Sequence, residues 1–134
     1  MEVMKDSIQK TKKHISNAVG FYSTDEFYMS FVQKLRTQPD IDHMVNYSAN
    51  ITGKYFRYAH DMIQAEEYHY VQICMDIIDL VCEILYSVIK SEYKALMSAK
   101  DLNDAILGIE IGINVIKDEL AKGTLYTKES ELYD

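Results

Sequence analysis

The sequence predicts an all-α fold: a single-domain bundle of five to six helices with a central, mostly buried helix at about 68–97. Three observations predict it. Apolar residues recur at steps of three and four over most of the chain, the signature of helices with one buried face. Residues that break helices or make tight turns are scarce, with 5 Gly and 1 Pro in 134 residues, which excludes a many-turned β-sandwich. Hydrophobic residues make up 48% and charged residues 26%, enough apolar surface to offset chain entropy and too much for a disordered chain. At this length one domain buries roughly two-thirds of its unfolded surface. The bundle is expected over 1–123, with residues 124–134 as a frayed C-terminal tail whose Leu125, Tyr126, Leu132 and Tyr133 can dock on a surface.

The first helix is expected at about 2–19, where Met4, Ile8, Thr11, Ile15 and Val19 share a narrow stripe and the lysines lie outside it. Gly20 closes it. Ser23 and Glu26 have capping-box spacing, and Phe27, Phe31, Val32 and Leu35 follow at helical steps, giving a second helix at about 24–37. Pro39 disfavours helix at the residue before it. Asp40 or Asp42 can then cap a third helix through Met44, Val45, Tyr47, Ile51, Tyr55, Phe56, Ala59, Met62 and Ile63, ending near 65. In the fourth segment, 68–97, the polar positions Gln72, Asp76, Asp79, Glu83, Ser87 and Lys90 form one edge and nearly everything else is apolar. A helix apolar over most of its circumference belongs at the centre of a bundle or against a second subunit. The fifth, about 101–121, reads Leu102, Ala105, Ile106, Ile109, Ile113, Ile116 and Leu120, with Gly123 as its stop.

Net charge is −7, with a sequence pI near 5.0, so attraction to nucleic acid or anionic membrane is disfavoured. Lys5, Lys10, Lys12 and Lys13 against only Glu2 and Asp6 make the first twenty residues a basic arm on a more acidic body. No apolar signal segment opens the chain, and the most apolar stretch, 71–89, is interrupted by Gln72, Asp76, Asp79 and Glu83, so a cytoplasmic protein without a membrane span is expected. Cys74 and Cys82 lie eight apart in a helical pattern, a rise of about 12 Å that no disulfide bridges, and read as small core residues in a reducing compartment.

Four features carry possible function. Glu66-Glu67-Tyr68-His69 has the Glu-x-x-His spacing that pairs a carboxylate with an imidazole on one helix face in di-metal bundles. A complete site needs a second such pair, and no other histidine has a Glu three residues before it. The expectation is a turn at Glu66–Glu67 that breaks an over-long helix into a hairpin, with no cofactor; the alternative is a metal-binding or hydrolytic helical enzyme centred on Glu66 and His69, with Asp76 and His60 in support. The hairpin, with Ala59 and Tyr68 separated by eight residues, loosely resembles helix-turn-helix junctions of tetratricopeptide-like and HEPN-like bundles. HEPN ribonucleases carry R-x-x-x-x-H, whereas Arg57 and His60 here are three apart, so the resemblance implies packing and transfers no catalytic role.

Asp76, Asp79 and Glu83 lie at i, i+3 and i+7, a solvated edge that can also face a basic partner, including the lysine-bearing first helix of a second copy. Gly108 and Gly112 sit one turn apart inside a helix, with Ala105 and Val115 extending the small face; the two glycines cost about 2 kcal/mol against alanine, which close approach of a neighbouring helix would offset. The expected neighbour is the central helix, with a homodimer seam as the alternative. There are 11 Tyr and no Trp, and Tyr55, Tyr58, Tyr68 and Tyr70 cluster around the hairpin, where tyrosine offers contact area at low entropy cost. No phosphate-loop, dinucleotide, nucleophile-elbow or C-x-x-C motif is present. The expected function is therefore non-enzymatic: protein–protein contact as an adaptor, inhibitor or assembly subunit, self-associating as a dimer, with no nucleic-acid partner.

Overall fold

The computed structural model describes residues 2–122, and side chains from residue 5 onward; the expected stop at Gly123 and the 124–134 tail lie outside the described residues. The fold is all-α: α1 Glu2–Tyr22, α2 Asp25–Arg36, α3 Ile41–Gln64, α4 Tyr68–Tyr93 and α5 Ala99–Ala121. Contact density divides the chain into two compact units, Met1–Val88 and Ile89–Asp134, with the division inside α4.

The helix boundaries follow from local chemistry. α1 continues past Gly20 because Tyr22 beyond it buries aromatic surface: its ring lies 4.5 Å from Phe27 and 5.4 Å from Tyr55, both edge-on. The expected capping box at Ser23 does not form. Ser23 Oγ donates to the Gly20 carbonyl at the end of α1, and Thr24 becomes the cap, its Oγ1 accepting from Phe27 N at 3.1 Å. Three residues after Thr24 stands Phe27 rather than a carboxylate, so the reciprocal half of the box is missing. α3 is capped by Asp40, which accepts from His43 N at 2.8 Å and contacts His43 Nδ1 at 2.7 Å. That side-chain bond holds the Asp40 carboxyl below its ordinary range. Ser98 caps α5 in the same way, accepting from Asp101 N.

In the first unit α3 packs most extensively on α4. The buried stripe of α3 is Met44, Ser48, Thr52, Tyr55, Phe56, Ala59 and Met62. Two small hydroxyl residues thus hold core positions, while Tyr47 and Ile51, named from the sequence, sit at the margins. Small side chains let neighbouring helices approach; the Thr52 hydroxyl reaches the Ala49 carbonyl at 3.4 Å, whereas Ser48 Oγ is buried with no hydrogen-bond partner among the described residues. From α4, Cys74, Ile77, Ile78, Val81, Cys82, Ile84, Leu85 and Val88 are buried in this unit, as the all-round apolar pattern requires. Cys74 and Cys82 are both buried thiols, and burial pushes the Cys74 thiol up to about 12.

The second unit holds the last turn of α4, a turn through residues 94–98, and α5. Leu102, Ile106 and Leu120 are the buried residues of α5.

Candidate interaction surface

The turn between α3 and α4 settles the geometry of Glu66 and His69. Glu67 N donates to the Met62 carbonyl at 2.8 Å and Glu66 N to the Ile63 carbonyl at 3.1 Å, while Glu66 adopts φ 59. This is the Schellman ending, with a glutamate where glycine is usual. α3 therefore stops at Gln64 and α4 starts at Tyr68, so Glu66 and His69 do not share a helix face, and both side chains are exposed. The Glu-x-x-His pairing of di-metal bundles requires an unbroken helix there, and the turn removes it. His60 is partly buried on α3, with Nδ1 3.8 Å from Asp61. No group of three or more His, Cys, Asp or Glu that could hold a metal occurs among the described residues.

The four tyrosines around the hairpin do not make one surface. Tyr55 is only 4% exposed, its ring against Tyr22 and Tyr58, which corrects its assignment as a contact residue: it belongs to the core. Burial, with the Tyr22 hydroxyl beside it, raises its pKa far above the ordinary phenol value. Tyr58 stacks on His14 across α1 and α3. Tyr70 lies beneath Lys12, whose Nζ is 5.1 Å from the ring centre and 3.0 Å from Glu67 Oε1. One lysine of the basic arm is thus spent within the fold, tying α1 to the hairpin turn. Tyr68 is the exposed member of the group.

Asp76, Asp79 and Glu83 lie on the exposed edge of α4, and Asp76 accepts a hydrogen bond from Gln72 at 2.8 Å. Beside this edge the end of α1 and the middle of α4 enclose an apolar groove. A second, more polar hollow of about 340 Å³ lies between the first half of α1 and the end of α3, lined by Ser7, Ile8, Thr11, Asp61, Gln64 and Ala65.

Gly108 and Gly112 lie on an open face of α5. Both are exposed, and a Cβ built at either would meet nothing within 4 Å. The same side of α5 carries Leu107, Ile111 and Val115, each more than half exposed and spaced by four, so that they align along the helix. Lys100 and Asp104 precede this stripe and Asp118 and Lys122 follow it, all exposed. The result is an apolar strip with two notches at the glycines and charged ends. The sequence pattern marks the glycines with Val115 on their face, but not Leu107 and Ile111, which complete the row. The signal was present, because α5 has more large apolar residues than its buried side can hold.

No helix among the described residues is long and apolar enough to cross a membrane. Compared with known family models, curated proteins and solved structures, the chain matches none.

Proposed function

We propose that this protein works without catalysis of its own, through protein–protein contacts in a reducing cytoplasm, as an adaptor, inhibitor or assembly subunit, and that it self-associates through α5. The observation that carries this reading is the exposed strip Leu107, Ile111 and Val115 beside Gly108 and Gly112. Three large aliphatic side chains in one row lose apolar hydration when covered, and each contributes about 1.5–3 kcal/mol at full burial. The adjacent glycines add what a second helix needs to come close, a surface without Cβ atoms. The charged residues at both ends supply a polar rim, the usual anatomy of a recognition patch. A strip that presents itself to its own copy satisfies all three requirements with one two-fold contact.

Native mass spectrometry of the untagged protein at low micromolar concentration tests this directly. A metal-free dimer is expected, and Ile111→Asp, at a position already exposed, should yield a folded monomer. A wild-type monomer, or a monomer carrying bound metal ions, would overturn the reading.

A further inference from the structure

We propose that the groove between the end of α1 and the middle of α4 receives a basic segment of a partner protein, with one apolar side chain of that segment seated in the groove. This goes beyond self-association and uses a different surface. The walls are Val19 and Tyr22 from α1 and Ile73, Ile77 and Leu80 from α4, with Asp76 at the rim. The hollow is about 190 Å³, below the range of roughly 300–1,000 Å³ typical of small-molecule pockets and suited to an anchoring side chain. Its mouth is open on the α1 side, where Val19 is 43% exposed.

Charge selects the partner. Asp76 lines the groove, and Glu83 stands two turns further along the same exposed edge of α4. None of the residues lining the groove is Lys or Arg, and Lys12, farther along α1, is held by Glu67 and the Tyr70 ring. A basic segment therefore meets exposed carboxylates with no competing cation in the groove lining, and an apolar floor beside those carboxylates matches an amphipathic sequence with Lys or Arg flanking Leu, Ile, Met or Phe. Polyphosphate backbones and anionic lipid are repelled by the same row, which leaves protein as the class of partner.

The experiment is selection from a random 16-residue peptide library displayed on phage, followed by fluorescence anisotropy with the recovered peptides. The expected sequences place Lys or Arg beside a large apolar residue. Their binding should fall roughly ten-fold in Asp76→Lys/Glu83→Lys and in Leu80→Asp, weaken as salt rises, and stay unchanged in Asp6→Lys/Asp42→Lys, exposed acids outside both proposed contacts. The Asp76→Lys/Glu83→Lys variant alters exposed positions only, so its result stands even where Leu80→Asp fails to fold. Recovery of no peptide, of peptides without basic residues, or of peptides indifferent to these substitutions would overturn the proposal. The Ile111→Asp variant separates the two readings, because peptide binding persists in a monomer if the groove acts alone.

Discussion

Glu66 shows how one residue can reassign a motif. Its backbone sits at φ 59, a conformation that costs a non-glycine residue about 1–2 kcal/mol, and it is held there by the two hydrogen bonds that end α3. Glycine adopts this conformation freely but loses more entropy on folding, so Glu66→Gly is expected to stabilise the protein by about 1 kcal/mol. A rise in urea midpoint with unchanged slope checks it; a loss of stability would mean that the Glu66 side chain holds something. Two buried acids make a second prediction at this scale. Cys74 has an ordinary value of 9.0 raised to about 12 by burial, and Tyr55 is raised from 10.0 by burial first and by Tyr22 second. In both, the unfolded chain releases its proton before the folded one. The stabilisation is therefore complete below pH 9 and is lost progressively from there towards pH 12, by at most about 1.4 kcal/mol per pH unit for each group. Urea melts between pH 8 and 10 should show Cys74→Ala losing less stability over that interval than the wild type, since the Tyr55 contribution is common to both.

At the scale of elements, the helix ends were readable to within a few residues because they rest on local chemistry. Pro39, Asp40 and Ser98 act on the backbone within one turn of themselves. The error at Ser23 is instructive: two neighbouring hydroxyls compete for one cap, and the winner is decided by how far α1 runs, which depends on the Tyr22 ring meeting Phe27 and Tyr55. Glycines in α5 invite a comparison with Gly53 in α3, which also has open space around it. Gly53→Ala should stabilise the chain by about 1 kcal/mol, the helix-propensity difference alone. Gly108→Ala and Gly112→Ala should give a similar gain in monomer stability but weaken the dimer, because the new methyl groups hold the partner helix away. Sedimentation equilibrium alongside thermal melts distinguishes the two effects; equal behaviour of all three variants would remove the glycines from the interface.

On the scale of the whole molecule, the net charge of −7 sets opposite salt responses for the two proposed contacts. Two copies of an acidic chain repel, so raising ionic strength from about 0.01 M to 0.15 M, which shortens the Debye length from about 30 Å to 8 Å, should tighten the α5 dimer. The same change should loosen a basic peptide in the α1–α4 groove; parallel titrations in sodium chloride check both signs. The all-α class, the five helices, the hairpin at Glu66 and the acidic edge of α4 were legible in the sequence because periodicity, caps and charge spacing are properties of short stretches. Which tyrosine is core and which is surface was not, because Tyr55 and Tyr68 look alike until distant helices bury one and leave the other in water. Ser48 and Thr52 were missed for the same reason: small polar residues gain their place from the closeness of a neighbouring helix, not from hydropathy. By itself the sequence determined the helices and their punctuation, since hydrogen bonds within a helix link residues only a few positions apart. The tertiary structure alone decided that the glycine face of α5 stays open and that α1 and α4 leave a groove, because exposure is a property of what packs from far along the chain.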